Sequence, residues 1–349
     1  MKENVIIYGV GEFYKTHESE ALQKYNVIGY CDKNQSGIIH EKEIMKPNQL
    51  LQYGNEKILI MISNMKYIMD VSKYLVLDNG ISPEQLLYGY CEFDQMSKLE
   101  RMECLKDSEL RYKVTINGIS CEVSTIDEYN NVEEVLFVEN YYFHIANGKK
   151  NIVLDIGLNI GSASLYFINK IKNIEKIYGY EPFEKTFYAA HNNLKEYIGN
   201  GDTIEIFNYG LSDVNERRQI VFNPNVTCAQ SSIIQNTLKA QKQYVDWGLA
   251  DDTENEIVEI EVRKASDILS AIVDKHSDCN IILKIDCEGE EYGIFADLEQ
   301  YGLFSKIDMI MLEWHYRGRE KLTEILNRNQ FNYWCFNKSR EMGLIYAQK

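Results

Sequence analysis

Basic residues are scarce in this chain: 37 lysines and arginines face 53 aspartates and glutamates, a formal charge of −16 over 349 residues. A surface this acidic argues against nucleic acid as the main partner, because neutralising phosphates takes clustered cations. No apolar run approaches the ~18 residues of a membrane span, so no insertion into a membrane is expected. Proline occurs only four times, and no proline-rich linker or low-complexity tract separates parts of the chain. The eight cysteines stand singly at 31, 91, 104, 121, 228, 279, 287 and 335, without a Cys-x-x-Cys pair or a histidine-rich stretch. That spacing argues against a structural zinc site and suits reduced thiols acting as small apolar residues in a cytoplasmic protein. The N-terminus runs straight into Val5-Ile-Ile-Tyr without a basic and apolar leader, so no signal peptide is expected.

What is present is organised around residues 152–161, Ile-Val-Leu-Asp-Ile-Gly-Leu-Asn-Ile-Gly. A short apolar strand ends at Asp155, breaks at Gly157 and Gly161, and gives way to the helical Ser162-Ala-Ser-Leu-Tyr-Phe-Ile. Strand, glycine turn and helix form a nucleotide cradle. A second strand, Ile177-Tyr-Gly-Tyr-Glu181, ends in an acid 20 residues after Gly161, where a carboxylate accepts hydrogen bonds from ribose hydroxyls. The glycine pattern is Gly-x-x-x-Gly rather than Gly-x-Gly-x-x-Gly, and Asp155 precedes the turn. A carboxylate there opposes a pyrophosphate by roughly 1–4 kcal/mol and attracts a donor carrying an ammonium and a sulfonium. S-adenosylmethionine is therefore the expected cofactor, ahead of NAD.

Residues 1–95 read as a small Rossmann-like α/β domain: a strand at Val5, a Gly9-x-Gly11 turn, a helix over 12–24, a second strand ending at Asp32, a third at Ile58 and a helix over 67–77. The third glycine is missing, since position 14 is Tyr, so a structural or docking role is expected before nucleotide binding. Copies of the chain could associate through this domain. Residues 96–349 form the second domain. Its first stretch, 96–112, is compatible with a helix, and Asn117-Gly118 between alternating segments marks a hairpin. From 152 onward strands and helices alternate, which gives a mostly parallel sheet with helices on both faces. The last two strands, near 331–336 and 343–347, are too closely connected to be parallel and should pair antiparallel. An insertion at 210–266 carries its own strands and a helix, and seven acids without a base over 244–262 read as a solvated surface.

A second constellation lies further on. Asn280-Ile-Ile-Leu-Lys-Ile-Asp286-Cys-Glu288-Gly-Glu-Glu is an apolar strand turning polar at its end, and Asp308-Met-Ile-Met-Leu-Glu313-Trp-His315 repeats the design. Kept extended, the first strand puts Lys284, Asp286 and Glu288 on one face, and the second puts Glu313 and His315 on one face. Both deliver ionisable groups to the carboxyl edge of the sheet, where ligands of open α/β folds bind. Glu290 or Glu291 is expected to cap the following helix. The aromatics of Asn140-Tyr-Tyr-Phe-His144 are candidates for an acceptor wall or for core packing.

Val153-Leu-Asp-Ile-Gly-Leu-Asn-Ile-Gly-Ser, Tyr180-Glu-Pro, Asn208-Tyr-Gly-Leu-Ser-Asp, Leu283-Lys-Ile-Asp-Cys-Glu-Gly-Glu-Glu and Leu312-Glu-Trp-His, in this order, resemble the FkbM family of S-adenosylmethionine-dependent methyltransferases over about residues 135–340. The resemblance implies a class I methyltransferase fold with a seven-stranded sheet. It places Asp155, Gly157, Asn159 and Gly161 around the methionine end of the donor, Glu181 at the ribose, Phe183 beside the adenine and Asn208 to Leu211 at its rim. It also implies O-methylation of a hydroxyl on a sugar, glycolipid or polyketide-like acceptor, with S-adenosylhomocysteine as product. Leu158 departs from the small residue usual there and narrows the turn. Among Asp286, Glu288 and His315, the favoured base is His315, with Asp286 orienting the acceptor or the imidazole. The same three side chains are able to hold a divalent metal, although none is expected. An NAD-dependent oxidoreductase and a non-catalytic scaffold in glycan assembly are the alternatives.

Overall fold

Strands buried on both faces need unbroken apolar runs, whereas half-exposed strands alternate. The computed structural model of the chain follows this rule. It describes residues 2–107, 110–199, 203–227, 242, 245–246 and 254–349. The chain forms two compact units, Met1–Tyr129 and Asn130–Lys349. The sequence reading placed the domain boundary at residue 95, ahead of a short three-stranded sheet that lies within the first unit.

In the first unit β1 (Asn4–Tyr8), α1 (Glu12–Lys24), β2 (Asn26–Cys31), β3 (Ile38–Ile39), β4 (Lys42–Met45), β5 (Lys57–Ile60), α2 (Met65–Lys73) and β6 (Leu86–Tyr88) build a sheet of order β3-β4-β2-β1-β5-β6. After the short helix α3 (Gly89–Phe93), β7 (Glu100–Cys104), β8 (Tyr112–Ile116) and β9 (Ile119–Val123) form a separate antiparallel sheet. The helix expected over 96–112 is thus a strand in its central part. Met102 is buried and faces Val114 across the ladder, so cross-strand pairing overrode a helical reading of a short window. Asn117 and Gly118 turn the hairpin with φ of 51° and 82°. Asp32 uses its carboxylate on its own chain: Oδ2 accepts from the Val10 N–H, and Oδ1 accepts from the N–H groups of Asn34 and Gln35. The helix α4 (Ile126–Leu136) leads from the first unit into the second.

The second unit holds a seven-stranded sheet. Its elements are β10 (Asn151–Ile156), α5 (Ser162–Lys170), β11 (Ile174–Tyr180), α6 (Glu184–Leu194), β12 (Ile204–Phe207), then, past a small three-stranded sheet, α7 (Ala265–Lys275), β16 (Asn280–Ile285), α8 (Glu291–Gln300), β17 (Met309–His315), α9 (Glu320–Arg328), β18 (Asn332–Asn337) and β19 (Met342–Gln348). The small sheet contains β13 (Gly210–Ser212), β14 (Glu216–Phe222) and β15 (Glu256–Lys264), with β15 in the middle. The large sheet runs β12-β11-β10-β16-β17-β19-β18. All of it is parallel except β19, which runs antiparallel to both β17 and β18. β10, β16 and β17 are buried along their whole length. The helix expected inside the insertion falls outside the described residues. Register brings the carboxyl ends of the central strands level: Ile156 stands beside Tyr180 on one side and Ile285 on the other. No helix among the described residues is long and apolar enough to cross a membrane.

Candidate active site

The donor side begins where β10 stops. Gly157 (φ 81°) turns the chain, and the N–H groups of Gly157 and Leu158 both donate to the Tyr180 carbonyl, pinning the turn to β11. A Cβ on Gly157 would lie 1.7 Å from the Asp286 carbonyl oxygen. Gly161 (φ 87°) starts α5 and leaves room for Leu194 of α6, 2.8 Å from where its Cβ would stand. Both glycines therefore permit close chain crossings at positive φ. Leu158 is buried and does not close the turn, because its methyl groups lie against Gly179, which has no side chain to meet them.

Glu181, one residue beyond β11, accepts from the Asn159 N–H with Oε2 (2.9 Å) and from the Phe183 N–H with Oε1 (3.0 Å). Burial pushes its carboxyl up to about 7, against these two N–H groups and Lys284, which favour ionisation. Asn208 donates to the carbonyls of Glu181 and Pro182 and so shapes this corner from outside. Asp155 stands behind the turn, fully buried. Its Oδ2 accepts from Ser164 at 2.7 Å, and its Oδ1 lies 3.1 Å from the Lys284 ammonium. Lys284 also donates to the Gly157 carbonyl at 2.6 Å. An open cleft runs over this corner, lined by Gly157, Asn159, Glu181, Phe183 and Leu211 together with Asp286, Glu288 and Glu290. Phe183 is backed by Phe222, stacked at 5.5 Å.

The acceptor side comes from β16 and β17. The chain leaves β16 after Ile285 and turns through Glu288 (φ 54°) and Gly289 (φ 114°), so the extended run expected through Glu288 is cut short. Asp286 and Glu288 nevertheless converge on His315, the last residue of β17. His315 Nε2 lies 3.5 Å from Glu288 Oε1, 3.9 Å from Glu313 Oε1 and 4.0 Å from Asp286 Oδ1. Its Nδ1 is 2.7 Å from Oε1 of Glu291, which is fully buried. Glu290 heads α8 without a side-chain capping bond and instead binds Ser212 and Arg218. Burial alone would lower the imidazole, but the surrounding carboxylates hold it well above its ordinary value. Burial also opposes ionisation of Asp286, and Lys284, His315 and Tyr141 outweigh it. Tyr141 donates to Asp286 Oδ2 at 2.9 Å, Tyr316 to Glu288 Oε2 at 3.0 Å, and Lys338 to Glu313 Oε2 at 3.0 Å.

Sequence reasoning named Asp286, Glu288 and His315, and the structure brings them together. It missed the roles of Glu291, Tyr316 and Lys338, and left Tyr141 as one aromatic in a cluster. That cluster divides: Tyr141 and Phe143 are buried, and Tyr142 is exposed. No local signal marks Lys338, which reaches the site through the β18–β19 hairpin.

A parallel sheet closed by an antiparallel last strand, with a glycine turn after its central strand and an acid after the next, defines the Rossmann-like class I methyltransferase fold. The chain belongs to the FkbM methyltransferase family: the methyltransferase FkbM domain matches residues 155–333. Among solved structures it is similar to methyltransferase FkbM from Methylobacillus flagellatus KT, at 13% identity, over 99% of this chain and 89% of that one, with a TM-score of 0.37. It is also similar to magnesium protoporphyrin IX methyltransferase (ChlM) from Synechocystis PCC 6803 with bound SAM, at 13% identity over 64% and 80% of the two chains and a TM-score of 0.32. A curated relative, AMB antimetabolite synthetase AmbE of Pseudomonas aeruginosa, is 23% identical over 235 residues, or 59% of this chain. The aligned part spans 11% of that protein's length.

Proposed function

We propose that this methyltransferase uses S-adenosylmethionine to methylate a hydroxyl of a sugar, glycolipid or polyketide-like acceptor. One observation carries the reading: a single cleft joins a buried acid suited to ribose, Glu181, to Asp286 and Glu288 across the Gly157 turn, and His315 stands directly behind those two carboxylates. The residues fit the donor. Glu181 spends one lone pair of each oxygen on backbone N–H groups and keeps the others for hydroxyls. Phe183 and Leu211 offer apolar surface for a base. No lysine or arginine appears among the described residues lining the cleft, while four acids do. That balance favours a cationic donor over one bearing pyrophosphate, the preference first assigned to Asp155, whose own charge Lys284 compensates.

Bound there, the donor supplies an electrophilic methyl group. Asp286, Glu288 and His315 hold the acceptor oxygen in line as its proton is lost and the new bond forms. Alignment contributes up to about 7–11 kcal/mol, and proton removal about 10²–10⁴-fold in rate. Calorimetry with S-adenosylhomocysteine and with NAD, followed by labelled methyl transfer to a panel of sugar hydroxyls, tests the reading. Preferential binding of NAD would overturn it. His315→Ala and Asp286→Asn should keep product affinity near wild type and cut turnover at least about a hundredfold. Wild-type rates in both variants would remove the acceptor site from this edge of the sheet.

A further inference from the structure

We infer that Asp286, Glu288 and His315 bind a divalent cation that holds the acceptor oxygen beside the donor cleft, an inference that rests on reading this edge as the acceptor side. The imidazole carries the argument. Its Nδ1 is engaged at 2.7 Å by the fully buried Glu291 carboxylate, an arrangement that fixes the tautomer and points the Nε2 lone pair away from Glu291. His315 is only 2% exposed, yet the carboxylate oxygens of Glu288, Glu313 and Asp286 lie 3.5, 3.9 and 4.0 Å from Nε2. Those spacings are too wide for N–H···O bonds of about 2.7–3.2 Å. The Glu288 spacing matches the separation of two ligand atoms that share an ion, about 3.0–3.6 Å when each sits about 2.1 Å from it at 90–120°, and the Asp286 spacing lies somewhat beyond it. One ligand atom from each of Asp286, Glu288 and His315 lies within 4.8 Å of the others.

Each of the three side chains is also steadied from outside. Tyr141 donates to Asp286 Oδ2, Tyr316 donates to Glu288 Oε2, and Glu291 holds His315 through Nδ1. Partners of this kind orient the ligands of protein-bound metals. Charge points the same way. The carboxylates of Asp286, Glu288, Glu291 and Glu313 converge here against two ammonium groups, Lys284 at 3.9 Å from Asp286 and Lys338 at 3.0 Å from Glu313, and each of those is shared with a further carboxylate, Asp155 and Glu134. Two carboxylates and an imidazole suit a first-row ion such as Mn²⁺ better than Mg²⁺, which prefers oxygen alone. Three protein ligands leave positions open for an acceptor oxygen, whose proton a dication makes easier to lose. In the transfer, an oxygen lone pair forms the O–CH₃ bond, the S–C bonding pair stays on sulfur, and the hydroxyl proton leaves to solvent.

The test uses the full chain after dialysis against a chelator, titrated with Mn²⁺ and followed by electron paramagnetic resonance of the free ion, with S-adenosylhomocysteine binding measured on the same sample. One saturable Mn²⁺ per chain is expected. Affinity should fall in His315→Ala and Glu288→Gln, and by about 10–100-fold in Tyr316→Phe, which keeps all three ligands. S-adenosylhomocysteine binding should persist in Tyr316→Phe, whose side chain is not among the residues lining the cleft. Absence of saturable Mn²⁺ binding, or binding unchanged by all three substitutions, overturns the cation site while leaving the methyltransferase reading intact. Failure of the wild-type chain to bind S-adenosylhomocysteine strikes that reading instead.

Discussion

Glu181 ties donor binding to pH in a way that can be worked out beforehand. Burial lifts its carboxyl from an ordinary 4.5 to about 7, the backbone N–H groups of Phe183 and Asn159 and the Lys284 charge pull it down, and Asp155 pushes it up. Ribose hydroxyls donate to the ionised form. With a pKa of about 7 the ionised fraction rises from about one in eleven at pH 6 to about ten in eleven at pH 8, so affinity for S-adenosylhomocysteine should rise about tenfold, or about 1.4 kcal/mol. Stability moves in the opposite direction. Because folding raises this acid, the folded chain keeps a proton that the unfolded chain has lost. The resulting stabilisation is complete below about pH 4.5 and lost as pH climbs to about 7, on the order of 3 kcal/mol in all. Glu181→Gln removes the titration and turns an amide NH₂ toward one of the two backbone N–H groups, a mismatch costing about 1–3 kcal/mol. Its affinity should be weaker and flat with pH. Calorimetry at half-unit steps from pH 6 to 8 decides the matter: a wild-type affinity that does not change over this range refutes the assignment of Glu181 to the ribose.

Gly157→Ala sets a Cβ 1.7 Å from the Asp286 carbonyl at a φ of 81°, so both donor affinity and thermal stability should drop; an alanine variant that melts with the wild type would mean the two turns are not in contact. Lys284→Met leaves the fully buried Asp155 without its ammonium partner, at a cost of about 3–5 kcal/mol readable in the urea midpoint, and a loss under about 1 kcal/mol would contradict the pairing. Leu158→Ala empties the space beside Gly179 and should cost about 2–5 kcal/mol in the same assay, whereas a side chain pointing into the cleft would cost little.

Much of the chain was legible from local pattern. The apolar runs of β10, β16 and β17 announce strands covered on both sides, and the short link between β18 and β19 requires an antiparallel pair. Windows with mixed signals were not legible. Residues 100–104 became a strand because β8 was there to pair with, and the helix Ala265–Lys275 went unmarked beside an acidic insertion. In the site, Glu181, Asp286, Glu288 and His315 could be named because a side chain at a strand's carboxyl end has few places to go.

The point at which each apolar run ends, set by the sequence alone, brought the acids and the histidine to one edge of the sheet. Tertiary structure decided what each of them does there. Asp155 and Glu181 both follow apolar runs, yet one is buried against Lys284 and Ser164 and the other lines the cleft. Tyr141 reaches Asp286 from 145 residues away, and Glu291 turned from helix cap to anchor for His315. The reason is physical: backbone periodicity sets the direction of a side chain, but its charge partners are chosen by whichever distant strand, helix or hairpin packs beside it.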